Sequence, residues 1–202
     1  MTGSEFCQNL LPSGAAASAL AKAAGGKFIL ASPIMTDKAL VRWEGFVKKN
    51  RRLISEIVVN DWGFASSLKK SGFKRLSAGR LMMRELALLS PSWAKGFLRG
   101  HGIIRGEADR PDLAEAARRL GLEASWHGGY VFRAVSTFCP FERHFKPDCS
   151  FSCSGEALKL SNRQLGHDLL LAGNAYFSKQ PAKKAGGRFY RQVYRPAGRG
   201  PA

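Results

Sequence analysis

The chain has 202 residues, 45% of them hydrophobic, with 32 Lys plus Arg against 15 Asp plus Glu, a formal charge of +17. That is enough apolar material for one sizeable core, so wholesale disorder is excluded, and no run approaches the roughly 18 consecutive apolar residues of a membrane span. Four cysteines are too few for a disulfide scaffold, and the N-terminal stretch has no basic region ahead of its apolar part, so a cytoplasmic chain without a signal peptide is expected.

"GGKFILASPI" (25–34) reads as a turn and then a buried strand, with Lys27 as its polar start. "TDKALVRWEGFVKK" follows with Leu40, Val41, Trp43, Phe46 and Val47 at helix spacing, and Thr36 or Asp37 suits its N-cap. "ISEIVVND" (54–61) is a second short apolar run, and "WGFASSLKKSG" a helix closed by Gly72. "FKRLSAGRLM" (73–82) is a third strand that leads into a loop, and between 83 and 101 Pro91 and Gly96 interrupt any pattern. "GIIRGE" (102–107) is another strand. "RPDLAEAARRLG" (110–121) is the clearest helix, with Pro111 early, acids in its first turn, Arg118 and Arg119 in its last and Gly121 after it. "LEASWHGGYVFRAVS" (122–136) returns as strand with a Gly-Gly break.

Strand and helix alternating in this way predict parallel βαβ units and an α/β class, satisfied by a (β/α) barrel or by an open doubly wound sheet. No GxGxxG or Walker-type loop follows a strand, which counts against dinucleotide and P-loop nucleotide binding. Ligands gather at the C-terminal ends of strands in both architectures. Those ends are "VND" (59–61), "AGR" (78–80), "GE" (106–107) and "STFC" (136–139).

The last of these opens the stretch "TFCPFERHFKPDCSFSC", which holds Cys139, Cys149 and Cys153. A thiol cluster in a reducing compartment points to metal binding or catalysis, and thiolates suit iron-sulfur clusters and zinc. Both favour four ligands. Cys7 is the one remaining thiol, and the adjacency of first and last strands in a closed barrel can bring it to the trio; His144, inside the same loop, is its rival and would complete a Cys3His zinc site. Chance occurrence of small hydrophobes fits poorly, because the segment is polar and charged.

The pieces "GKFILASPI", "EIVVNDWGFASSLKKSGFKRLSAGRLM" and the run from "GIIRGEADRPDL" through the cysteines resemble peptidase family U-32, closest to its ubiquinone-biosynthesis branch of the UbiU and UbiV type. The likeness covers about residues 5 to 160, and its most specific parts are "VNDWG" and the late cysteines preceded by "FKPD". The resemblance implies a (β/α) barrel and a 4Fe-4S cluster on four cysteines, here Cys7, Cys139, Cys149 and Cys153. It further implies a role in oxygen-independent hydroxylation, of a quinone-ring precursor or of an RNA base. The chain starts close to Cys7 and stops soon after "ALKLSNRQLGHDLLLAGNAYF", so an incomplete barrel is expected at 1–178, closed by a second protein of the same family in a hetero-complex. A collagenase-like peptidase, the activity that names the family, finds neither a nucleophile with a paired base nor HExxH here.

Other residues have simpler readings. Asp61 is expected to cap the helix that starts at Trp62, and Trp62 to serve the core or to shield the cluster. Glu107, His127 and His101 stand near strand ends and could do acid-base work, although each alone is more often a structural residue. Catalytic residues are therefore left unassigned. Ser32, Ser66 and Ser136 lack a GxSxG context or a paired His. After Asp168 no acid follows, and residues 179–202 form a basic, flexible tail whose Phe189, Tyr190 and Tyr194 among cations suit RNA or another anionic partner. A second reading is therefore an RNA-binding or RNA-modification module with a structural cluster or zinc. Much of the positive charge outside that tail is scattered singly along the sequence.

Overall fold

The computed structural model describes residues 1–143, 149–153, 157–161, 163–180 and 188–193. His144 and most of the region from 181 onward lie outside them.

Seven strands form a parallel sheet in the order β1-β2-β3-β4-β5-β6-β11. These are β1 (Thr2–Gly3), β2 (Phe28–Ala31), β3 (Ile54–Val59), β4 (Leu76–Ala78), β5 (Ile103–Ala108), β6 (Glu123–His127) and β11 (Arg191–Val193). The helices between them are α1 (Gly14–Ala23), α2 (Asp37–Asn50), α3 (Trp62–Lys70), α4 (Arg80–Leu86), α5 (Pro91–His101) and α6 (Pro111–Arg119). A second, antiparallel sheet has the order β7-β10-β9-β8, from β7 (Tyr130–Val135), β8 (Ala157–Leu160), β9 (Leu169–Ala172) and β10 (Ala175–Lys179).

The strand order decides between the two architectures the sequence allowed. A doubly wound sheet reverses direction partway, whereas β1 to β6 follow one another without reversal, and right-handed crossovers then put successive helices on the same face. The sheet also curls into half a barrel. Four strand spacings separate β3 from β11, roughly 19 Å in a flat sheet. Arg191 Nη2 on β11 nevertheless lies 3.1 Å from Glu56 Oε1 on β3, which two side chains span only across a concave face.

The two faces differ in chemistry. Ile57, Val59, Leu76 and Ala78 point toward the helices and pack with Trp43, Phe64, Met82 and Met83. Gly106 lies on the same face, where a Cβ would stand 2.6 Å from Met83 Sδ. Glu56, Ser77, Glu107, Ser125 and His127 are all buried and alternate with the helix-facing residues along their strands, as a period of two requires.

Local signals act as the sequence predicts at most helix ends. Thr36 caps α2 and accepts from Ala39 N–H, and Asp61 caps α3 and accepts from Phe64 N–H. After α3, Phe73 N–H reaches Leu68 C=O and Gly72 N–H reaches Lys69 C=O, the double bond pattern of a Schellman end with Gly72 at a left-handed φ of 73°.

Four expectations change. The region after β4 is helix where a loop was expected: α4 runs to Leu86, Pro91 starts α5 at its first turn, and Gly96 lies within α5. Pro is tolerated there because the first helical N–H needs no intrahelical partner. α1 has no predicted counterpart, its alanine-rich run offering little periodicity. The Gly-Gly break at 128–129 separates strands of two different sheets, β6 and β7. Within the stretch expected as a flexible tail, Lys179 ends β10, and Arg191–Val193 pair in parallel with β6 as an edge strand.

Candidate functional site

The antiparallel sheet sits over the C-terminal ends of the parallel strands. Phe6, just after β1, stacks on Phe132 of β7 at 4.8 Å and meets Phe177 of β10 edge-on at 5.3 Å. Asp109, after β5, accepts from Phe132 N–H at 2.7 Å, and Gln180 donates to Asp109 C=O at 2.8 Å. The lid is thus bonded to the strand ends beneath it.

Beside this seam lies a cleft of about 260 Å³ that all four cysteines line. Cys7 comes from the loop after β1, Cys139 follows β7, and Cys149 and Cys153 lie in the connection from β7 to β8. Ile34, Met35 and Thr36 after β2 form another wall, and the β9–β10 turn supplies Gly173 and Asn174. The sequence suggested that closure of a barrel would bring Cys7 to the trio. The structure does it differently: β7 crosses the top of the half-barrel and carries its C-terminal loop to β1.

Each segment is held. Ser4 Oγ accepts from Phe6 and Cys7 N–H, both at 3.1 Å. Gln8 C=O accepts from Trp43 Nε1 at 2.9 Å and Arg42 Nη2 at 2.7 Å, which fixes the Cys7 loop on α2. Asn174 Nδ2 donates to both Phe6 C=O and Ser136 C=O, at 2.9 and 2.8 Å, and so ties the Cys7 segment to the Cys139 segment. Glu142 accepts from the backbone and hydroxyls of Ser150 and Ser152 at 2.7 to 3.2 Å. Bonds from the Ser150 hydroxyl first, and then Ser152, hold the Glu142 carboxyl down to about 2. Phe151, between these serines, adopts a left-handed φ of 61°.

Two of the four sulfurs accept from backbone N–H groups. Cys139 Sγ accepts from Glu142 N–H at 3.5 Å and Cys149 Sγ from Phe151 N–H at 3.3 Å. Leu10 N–H bonds to the Cys7 carbonyl at 3.3 Å. Burial pushes the Cys7 thiol up, and Cys149 and Cys153 add to the rise. Cys149 is likewise pushed up, by burial first and then by Glu142, Cys153 and Cys139. A cation bound by these sulfurs would favour their thiolates and oppose the rise at Cys7 and Cys149. Among the described residues, no three His, Cys, Asp or Glu side chains already stand in metal-holding geometry; the sulfurs share the cleft without converging on one point. The donor set fits a thiophilic metal or cluster in kind, with Cys7, Cys139, Cys149 and Cys153 to hold it.

The other candidates fall elsewhere. His127 Nε2 donates to Glu107 Oε2 at 2.6 Å, a pairing invisible in the sequence, and Arg191 bonds the other Glu107 oxygen. Burial alone would raise the Glu107 carboxyl, but His127 and Arg191 hold it low. Nearby, Arg80 and Glu5 form a buried ion pair at 2.7 Å, and Arg80 keeps Glu5 at about 2 against the effect of burial. None of these groups lines the cysteine cleft; they fill the concave face as paired charges. His101 lies on the outer helices, stacked on Phe97 at 4.0 Å. Its Nε2 is 3.3 Å from Ser66 Oγ, a neighbour the sequence did not suggest, but its Nδ1 faces Phe97 C=O at 2.9 Å, a carbonyl in the place of a carboxylate. Trp62 packs on Phe97 and Trp93, away from the cysteines.

Asn60 is the residue that sequence reading missed. Its Nδ2 donates to Ser32 C=O, and its Oδ1 accepts from Leu81 and Met82 N–H, capping α4 where Gly79 has no side chain to do so. Asp61 Oδ2 also accepts from Met35 N–H at 3.1 Å, fixing the cleft wall. The "VND" strand end thus organises two helix starts and one side of the cleft.

Comparison with protein-family models, with curated proteins and with solved structures finds no match to this chain. No described helix is long and apolar enough to cross a membrane.

Proposed function

We propose that this chain is an iron-sulfur protein that holds a 4Fe-4S cluster on Cys7, Cys139, Cys149 and Cys153. The observation that carries the reading is the gathering of four thiols from distant segments in one cleft, with backbone N–H groups on two of the sulfurs. Such bonds stabilise thiolate character and tune cluster potentials. When bound, the cluster supplies electron transfer or activation of a hydroxyl donor. The chain itself holds the ligand segments through Ser4, Asn174 and Glu142, and walls the cleft with Ile34, Met35 and Val135. Asn174 Oδ1 is buried and has no hydrogen-bond partner among the described residues, which leaves an acceptor on the wall for an N–H or O–H of a ligand.

The resemblance to the U-32 family extends this reading to an incomplete (β/α) barrel that works in oxygen-independent hydroxylation of a quinone precursor, within a hetero-complex. Among the described residues the parallel sheet ends in open edges at β1 and β11, which leaves room for a partner to close the half-barrel.

Anaerobic purification with iron, sulfide and zinc quantified tests the cluster. About four iron and four sulfide per chain are expected, lost on Cys149→Ser or Cys7→Ser. One zinc and no colour would overturn it in favour of a zinc site, with His144 as the rival fourth ligand. Copurification with a second U-32-type protein, and turnover of a quinone precursor without oxygen, test the wider role; failure of both with the cluster intact would leave an iron-sulfur protein of another function.

A further inference from the structure

In a parallel sheet every helix runs back to the start of the next strand, so the helix-to-strand junctions share the end of the molecule opposite the cysteine cleft. These junctions read "KAAGGK" (22–27), "KKNRRL" (48–53), "KKSGFKR" (69–75), "RGHG" (99–102) and "RRLGL" (118–122). They contain no acidic residue, and their Lys and Arg side chains are exposed, Arg118 alone being half-buried. The next acid along the chain, Glu123, is bound to Arg105 at 3.0 Å. At the opposite end stand Asp37, Asp61, Asp109 and Asp112, in helix caps, first turns and strand ends. Charge that is scattered along the sequence is thus collected on one face.

Neighbouring junctions lie side by side. Arg51 donates to Ser71 and Gly72 C=O, both at 2.7 Å, and Lys69 Nζ is 3.9 Å from where a Cβ on Gly100 would stand. Cations in a last helical turn also suit the helix dipole, but Lys27, Lys74 and Arg75 lie past the ends of their helices, where the dipole gives no reason for them. Among the described residues, no acid lies within ion-pair distance of Lys48, Lys49, Lys69 or Lys70. The junction residues themselves expose no large hydrophobic side chain, and the exposed Tyr190 just before β11 lies over Arg105 at 3.7 Å.

We propose that this face docks nucleic acid through its phosphate backbone, without reading sequence. Closely spaced like charges without protein counterions are the footprint of a polyanion site. The proposal involves neither the cysteines nor the tail, and it stands whether or not the cleft binds iron.

The test is anisotropy of labelled RNA and DNA oligonucleotides of about 20 residues, titrated with the full chain over a range of salt. The paired variant Lys69→Glu with Lys70→Glu is compared with Lys38→Glu with Lys95→Glu, which removes the same charge from exposed positions elsewhere on α2 and α5. The junction pair is expected to weaken binding at least about tenfold and to make the slope of log affinity against log salt shallower by roughly 1.5, while the control pair changes it little. RNA and DNA bound alike would fit backbone recognition, and preference for one would name the physiological form. Equal loss from both variant pairs would reduce the effect to net charge and overturn the proposal. So would unchanged binding, which would locate the site elsewhere, or binding to acidic peptide or anionic vesicles but not to nucleic acid.

Discussion

Glu5 and Arg80 show how a buried charge is held in this protein. Both side chains are almost wholly buried: Arg80 Nε and Nη2 bond to Glu5 Oε2, and Glu5 Oε1 accepts from the Arg80 backbone N–H. Glu5→Gln leaves Arg80 with only the longer pair to Asp109 Oδ2 at 3.5 Å, so it is expected to cost about 3 kcal/mol, measured by denaturant unfolding at neutral pH. The sign of the pH effect follows from the depressed value. Glu5 near 2, against 4.5 for an ordinary glutamate, contributes stability in full above about 4.5 and loses it as pH falls toward 2. The melting temperature of the parent chain should fall across that window more steeply than that of the Gln variant. Asn60 belongs to the same scale. Asn60→Ala leaves two N–H groups of α4 and Ser32 C=O unpaired, an expected loss of about 1 to 3 kcal/mol. A cost near zero would mean that Gly79 and the first turn of α4 rearrange to satisfy those groups.

At the scale of the element, the loop that presents Cys149 is ordered by one carboxylate. Glu142 gathers Ser150 and Ser152 around a single oxygen, and the left-handed Phe151 turns the chain between them. Glu142→Gln keeps the size and removes the charge. The expected outcome is an unchanged melting temperature together with faster loss of bound iron or zinc to a chelator. An unchanged chelation rate would show that the serines do not order the ligand loop. Because Glu142 sits near 2, the same loosening should appear in the parent chain as pH falls from about 4.5 toward 2. Metal uptake should have a separate dependence of the same sign, set by the thiols. Cys7 and Cys149 are pushed up, so they must shed protons on binding, and affinity should rise with pH.

The whole molecule depends on a short strand near its C-terminal end. Arg191 on β11 crosses the concave face to Glu56 and Glu107, where the sequence suggested a solvated tail. Arg191→Met should therefore destabilise the fold by about 3 kcal/mol, read by denaturant unfolding, because it leaves two buried carboxylates short of a cation. A loss below about 0.5 kcal/mol, the usual range for a surface residue, would return the segment to the status of a tail.

The sequence by itself determined what is local. The caps at Thr36 and Asp61, the Schellman end at Gly72, the strands "FILA" and "ISEIVV" and the Pro111 helix are all decided by neighbours within a few residues, where propensity and hydrogen bonding act directly. The spacing of Cys139, Cys149 and Cys153 was legible for the same reason. α5 was not, because Pro91 and Gly96 read as breaks until the helix start and the packing of Ala94 and Leu98 are known. Only the tertiary structure decided which distant groups meet: Cys7 with the late cysteines, Glu107 with His127, Arg191 with Glu56. It also decided the charge layout, since parallel strands aim every helix-to-strand junction at one end. Those pairings depend on how the sheet curls and on where the second sheet lands, a balance struck by the burial of whole elements, and a linear pattern carries no record of it.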